Sequence, residues 1–226
     1  MPNFISEDNI EQALLEQLET KFNFELLNCY TKKADDLNDR SLRQSKKDVI
    51  FRDRLTAACI KLNPNIPKTE IDKVIERVAN RRTAMSAIAA NRELDKLIRD
   101  GVDIEFEDDQ GIKQQETVRL IDFDNPKENK YLAVSQLWIK STGQAAKAGY
   151  RRPDVILYIN GLPLVFIELK NSNVKLKTAF DDNLSNYKND IPQLFHCNAF
   201  CILSNAIETK VGGFNASWEY FFNWLR

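Results

Sequence analysis

Residues 152–170 read Arg152-Pro-Asp-Val-Ile-Leu-Tyr-Ile-Asn-Gly-Leu-Pro-Leu-Val-Phe-Ile-Glu-Leu-Lys170, two apolar runs that meet at Asn160-Gly161. Asn-Gly between such runs predicts a β-hairpin, because both turn positions tolerate positive φ. A turn about Asn160 to Leu162 sets Asp154, near the start of the first strand, opposite Ile167 or Glu168 at the end of the second. Side chains alternate faces along a strand, so Glu168 and Lys170 share one face while Leu169 takes the other. Asp154, Glu168 and Lys170 therefore converge at one end of an otherwise apolar hairpin.

A charge beside Val165-Phe-Ile costs free energy unless it is paired or bound to a cation. Mg²⁺ answers that need, since it takes oxygen ligands, usually only one or two of them carboxylates, and leaves positions for water and a phosphate. A nearby ammonium would then hold an attacking water or stabilise phosphoryl charge. An ordinary ion pair of Asp154 with Arg152 or Lys170 at a strand end explains the same residues equally well on chemistry alone.

Outward from the hairpin, Thr178 to Asp190 reads as a helix, Asn198 to Ser204 as a buried strand and Ser217 to Arg226 as an aromatic-rich closing helix. Upstream, Val102 to Phe106, Thr117 to Phe123 and Tyr131 to Ile139 read as strands. Arg40 to about Asp100 carries a period near 3.6 in Val49, Ile50, Leu55, Ala58, Cys59, Ile71, Val74, Ile75, Val78, Leu94, Leu97 and Ile98, which predicts a helical insert. The chain opens with Ser6 as N-cap of an amphipathic helix through Ile10, Leu14, Leu15 and Leu18, followed by a short strand in Phe22 to Leu27. Glu11 on that helix reads as a solvated position, the alternative being an acid that points back at the metal. The order predicts an α/β fold, a mixed sheet flanked by helices plus the helical insert, in one domain over 1–226 with its core at about 101–210.

At 226 residues and 43% hydrophobic the chain can bury a sizeable core, and its net charge of −1 does not by itself announce nucleic acid. Local charge says more. Residues 131 to 180 hold Lys140, Lys147, Arg151, Arg152, Lys170, Lys175 and Lys177 against Asp154 and Glu168 alone, a candidate phosphate-facing surface. Nine bases of the helical insert (Arg40, Arg43, Lys46, Lys47, Arg52, Arg54, Arg77, Arg81, Arg82) either touch DNA or line a solvated face. Asp103, Glu105, Glu107, Asp108 and Asp109 mark a charged, solvated stretch. Cys29, Cys59, Cys197 and Cys201 have no zinc spacing and read as reduced core residues; His196, the single histidine, reads as a loop residue. With neither a signal peptide nor an apolar span, the expected compartment is the cytoplasm.

Pro153-Asp154 followed by Glu168-Leu169-Lys170 is the pattern of the PD-(D/E)XK nucleases, a string common enough by chance that its hairpin context must carry it. The segment from Arg151 to Ser204 resembles the nuclease region of the restriction (R) subunit of type I restriction-modification enzymes. The opening Ser-Glu-Asp-Asn-Ile-Glu-Gln and Tyr187-Lys-Asn-Asp-Ile-Pro-Gln-Leu-Phe extend the likeness more loosely. The resemblance implies a type I site-specific deoxyribonuclease in which Asp154, Glu168 and the backbone carbonyl of Leu169 bind Mg²⁺ and Lys170 is the catalytic lysine. It also implies a Gln-x-x-x-Tyr helix motif, here Asn183-Leu-Ser-Asn-Tyr187, where Tyr187 fits and the shorter Asn183 departs. Arg151, Arg152, Lys175 and Lys177 are the expected DNA contacts. Double-stranded DNA, a methyltransferase subunit and a specificity subunit are the implied partners.

Such subunits carry an ATP-driven motor, and no Gly-x-x-x-x-Gly-Lys-Ser/Thr loop occurs here, so the chain is expected to be a fragment that ends before the motor. Two other readings stay open. One is a repair or junction nuclease of the same superfamily; the other is a non-catalytic DNA-binding or docking module whose DNA affinity would ignore Lys170.

Overall fold

The computed structural model describes residues 4–108, 110–144 and 146–224. Its elements run α1 (Glu7–Phe22), β1 (Glu25–Asn28), α2 (Arg52–Leu62), α3 (Lys68–Ala79), α4 (Ala87–Asp100), β2 (Val102–Glu107), β3 (Lys113–Val118), β4 (Tyr131–Ser135), β5 (Ile139–Lys140) and β6 (Tyr150–Arg151). There follow β7 (Val155–Ile159), β8 (Leu162–Leu169), α5 (Leu176–Thr178), α6 (Ser185–Asp190), β9 (Phe200–Ser204), β10 (Thr209–Gly212) and β11 (Phe222–Asn223). Seven strands form one mixed sheet in the order β1-β4-β7-β8-β9-β10-β11. β1 is parallel to β4 and β8 to β9, and the other pairs are antiparallel. The fold is the predicted α/β architecture, a large mixed sheet flanked by helices.

The hairpin forms as predicted. Asn160 and Gly161 take φ of 53° and 86°, and Val155 pairs with Ile167, which sets Asp154 across from the Glu168 end of β8. The turn is also packed. Asn160 is buried and donates to Leu120 O and Asn129 Oδ1, and Gly161 O accepts from Phe51 N. A Cβ at Gly161 would stand 2.6 Å from Phe51 O, so glycine is required there twice over.

One face of the sheet is covered by α1, whose Ile10, Leu15 and Leu18 pack on Ala133, Val155, Ile167 and Leu169. The opposite face carries Ile156, Tyr158, Phe166 and Leu203 under apolar residues of α2, α3, α4 and the 176–190 helix. The helical insert therefore packs directly on the sheet. Leu169 and Phe166 lie in these two different cores, as strand alternation requires.

Several expected boundaries move, each for a local reason. Arg40 to Phe51 is irregular rather than helical, with left-handed φ at Arg40 (65°) and Leu42 (57°), and the first insert helix starts at Arg52. Phe22 ends α1 instead of opening a strand, because Asn23 (φ 56°) caps the helix in the left-handed region. The Thr117 strand stops at Val118, since the Asn63 side chain takes both the N–H and the C=O of Arg119. The strand from Tyr131 breaks at Gln136, whose φ of 58° turns the chain out of the sheet. The closing helix is absent over its described part: Trp218–Tyr220 makes one 3-10 turn and β11 pairs with β10. Aromatic residues suit that edge, where Trp218 and Phe221 pack on Phe180. Leu225 and Arg226 lie outside the described residues, as does Asp109; the rest of its acidic stretch forms the exposed hairpin β2–β3.

Candidate active site

The polar end of the β7–β8 hairpin sits where α1 and the 176–190 helix flank the sheet. Asp154 Oδ2 accepts from Leu169 N at 2.7 Å, tying the two strand ends together. Glu168 is 1% exposed, a charge-capable group set in the core beside Phe166. Its Oε1 accepts from Lys170 Nζ at 2.9 Å and from Asn183 Nδ2, and Lys170 Nζ also lies 2.8 Å from the Leu169 carbonyl oxygen. The residues that the hairpin reading grouped thus stand in one cluster. Asn183, one methylene short of glutamine, still reaches it, because the helix there contains a π-turn over Ala179–Leu184 that reshapes its approach to β8.

Tyr187 is buried. Its hydroxyl donates to Arg152 O at 3.1 Å, its ring meets Phe166 edge-on, and Arg151 lies over it. Arg151 itself is tied to Asp190 through Nε and Nη2, both at 2.6 Å. Arg152 forms no ion pair among the described residues and stacks on Tyr30 and Trp138, 5.5 and 4.8 Å from their ring centres. Lys177 pairs with Asp181, whereas Lys175 is exposed.

Two acids were misread or missed from sequence. Glu11 is only 6% exposed and accepts from Gln136 Nε2 at 2.7 Å, so the solvated reading is overturned. Burial raises its carboxyl against that hydrogen bond, and the charge of Asp154 adds to the rise. Glu7, one helical turn earlier, comes within 3.7 Å of Lys170 Nζ. The signal was there: Glu7, Glu11, Leu15 and Leu18 fall on one stripe of the helix, so an acid at position 11 interrupts the apolar face. Gln136 carried no such signal. His196 follows a 3-10 turn, and burial lowers its pKa to about 4, which leaves it neutral and outside the cluster.

Burial, with Asp154 nearby, raises the Glu168 carboxyl to about 8 despite Lys170; burial raises Asp154 to about 6 against its Leu169 N–H bond. Burial works against the charge of Lys170, but Glu168 beside it outweighs this and holds the ammonium up. These directions fix a stability test. A carboxyl whose folded pKa is raised stabilises fully below its unfolded value and loses that stabilisation as pH rises through the folded value. Free of divalent metal, the protein should therefore melt at lower temperature as pH climbs from 6.5 to 8. His196 has the opposite sign but acts below 6.5. In Glu168→Gln that decline should flatten; an equal decline in both proteins would refute the placement of the buried carboxyl.

The donor set fits a hard divalent cation. Glu168 Oε2 is buried and has no hydrogen-bond partner, while Oε1 is saturated. An orphaned carboxylate oxygen is costly in the core, and a cation satisfies it. Among the described residues no three Asp, Glu, His or Cys side chains form a ready-made cage. Mg²⁺ ordinarily takes one or two carboxylates from a protein and keeps several waters, a need that Asp154 and Glu168 can meet.

A mixed sheet with helices on both faces, bearing Pro-Asp and Glu-x-Lys at the facing ends of adjacent strands, defines a restriction-endonuclease-like protein. The family model described as "Type I restriction enzyme R protein N terminus" matches residues 4–220, and the chain belongs to that family. It is 34% identical over 223 residues to the type I restriction enzyme HindI endonuclease subunit of Haemophilus influenzae, covering 97% of this chain and 20% of that protein. It is 33% identical over 184 residues to the putative type I restriction enzyme MjaIXP endonuclease subunit of Methanocaldococcus jannaschii, covering 80% of this chain and 17% of that protein. The chain thus spans about a fifth of the length of these relatives.

Proposed function

We propose that this chain is the endonuclease domain of a type I restriction enzyme R subunit and that it hydrolyses DNA phosphodiester bonds with Mg²⁺. The observation that carries the reading is the buried Glu168, with one oxygen orphaned, beside Asp154 and Lys170 at a strand end. Asp154, Glu168 and the Leu169 carbonyl would hold the cation, which supplies an acidified water and neutralises charge on a phosphoryl oxygen. Asn183 and Lys170 fix Glu168 Oε1 so that Oε2 faces the ligand position. The Lys170 ammonium orients the attacking water and stabilises negative charge that grows on the phosphorus centre. Glu11 and Gln136 hold the α1 side of the cleft together. Tyr187 keeps the Arg152 backbone, and with it Asp154, in place.

Arg152 and Lys175 are free to meet phosphates. Arg151 and Lys177 can do so only by sharing their charge with Asp190 and Asp181. In the complete subunit we place an ATP-driven motor after this domain and assembly with methyltransferase and specificity subunits in the cytoplasm. Among the described residues no helix is long and apolar enough to cross a membrane.

Calorimetric titration of Mn²⁺ into this chain and into Glu168→Ala tests the site. Binding should weaken at least tenfold in the variant, the loss of one carboxylate ligand corresponding to about 1.4 kcal/mol or more. Equal binding by both would move the metal elsewhere. No binding by either, with DNA affinity indifferent to Lys170, would make the domain a docking module.

A further inference from the structure

Next to Asp154 lies an open cleft of about 840 Å³. α1 lends it Glu7, Asp8 and Glu11, while the loop between β1 and α2 lends it Tyr30 and Arg40. A phosphodiester approaching the metal position is repelled by the first wall, so attraction has to come from the bases that line the cleft, Arg152 beside Asp154 and Arg40 on the second wall. Of the nine insert bases, six are consumed by carboxylates: Arg43 and Lys46 by Asp39, Arg52 by Glu76, Arg54 by Glu25, Arg81 by Asp48 and Arg82 by Glu93. Arg40 is exposed, has no carboxylate partner among the described residues and is the member of the nine that lines this cleft.

Its loop is not slack. Asp39 is buried and accepts from Ser41 N, Ser41 Oγ, Arg43 Nη2 and Lys46 Nζ, and Arg43 also donates to Asp48 O and Trp138 O. Around this clip Arg40 and Leu42 keep left-handed φ, a conformation that non-glycine residues rarely adopt unless their surroundings impose it. Three buried charges and two left-handed residues hold in place a tip whose outward groups are Arg40 and the 78% exposed Leu42.

We propose that Arg40 is a DNA-phosphate contact, held by the Asp39 clip at the mouth of the cleft, where it grips the backbone beside the scissile phosphate. A guanidinium with no carboxylate partner among the described residues has the fork geometry for two phosphate oxygens. The inference rests on the nuclease reading of the cleft and adds to it the residue that seats the duplex.

The test is fluorescence anisotropy of a labelled short duplex with this chain, Ca²⁺ replacing Mg²⁺ to hold off cleavage, across a salt series. Arg40→Ala should weaken binding to unrelated sequences alike and lower the slope of log affinity against log salt by about 0.9, the contribution of one phosphate contact. Arg40→Lys should keep the slope. Arg77→Ala, which removes another base with no ion pair among the described residues from outside the cleft, should leave it unchanged, and all three variants should melt with wild type. A wild-type slope in Arg40→Ala, or an equal drop in Arg77→Ala, overturns the contact and leaves the nuclease reading standing. A wild-type chain that binds no duplex removes the DNA reading of the cleft, and the contact with it.

Discussion

Lys170→Ala is expected to abolish DNA cleavage by the assembled restriction enzyme while leaving its fold and most of its DNA affinity intact. The ammonium sits 2.9 Å from Glu168 Oε1 and 2.8 Å from the Leu169 carbonyl, so it borders two of the three residues proposed to hold the cation. Removal of one positioned charge that stabilises a transition state typically costs on the order of 10²–10³-fold in rate. In the proposed mechanism the same group also orients the nucleophile, which places the expected loss at or beyond the upper end. Stability should change little. Without Lys170 the Glu168 carboxyl, already raised to about 8, simply stays protonated at neutral pH in the metal-free protein. Plasmid cleavage with complete subunits, ATP and Mg²⁺, read beside a melting curve, checks both halves. Cutting within tenfold of wild type would remove Lys170 from the chemistry.

Asp39→Ala is expected to be the most destabilising single change outside the hydrophobic cores. Asp39, Arg43 and Lys46 have side chains 0%, 1% and 4% exposed, and the aspartate is the common acceptor. Taking away one partner of a buried ion pair leaves an uncompensated charge and costs about 3–5 kcal/mol; here two cations are left behind. For a chain of this size that corresponds to a fall of about 10 °C in Tm. Burial raises the Asp39 carboxyl, yet hydrogen bonds from Lys46 and Ser41 and the charge of Arg43 outweigh it and hold the group at about 2. A lowered folded value means the stabilisation exists above the unfolded pKa and fades as pH falls from about 4 to 2. Wild type should therefore show an acid-induced loss in that window which Asp39→Ala lacks. A Tm within two or three degrees of wild type would show that the clip contributes little.

The hairpin and its three polar residues were legible because they rest on local rules. Asn160-Gly161 specifies the turn, the turn specifies the register, and the period of two then places Glu168 and Lys170 on one face and Leu169 on the other. Helices α2, α3 and α4 were legible for the same reason, since a 3.6-residue period over a dozen residues outweighs local noise. Strand ends were not. Val118 and Ser135 end their strands because Asn63 captures the Arg119 backbone and Gln136 takes a left-handed φ, and both are decided by partners far away in the chain.

By itself, then, the sequence determined the α/β architecture, the hairpin, the convergence of Asp154, Glu168 and Lys170, and the four reduced, buried cysteines. Tertiary structure alone decided which charges are spent and which are free. Nine bases look alike along the chain, and only packing reveals that six are paired while Arg40 faces the cleft. Only packing turns Glu11 inward onto Gln136, brings Asn183 to Glu168 and leaves Glu168 Oε2 without a partner. The reason is range. Turn preference and side-chain alternation act over a few neighbouring residues, whereas desolvation and ion pairing depend on groups that approach one another only after the sheet and its helices have closed.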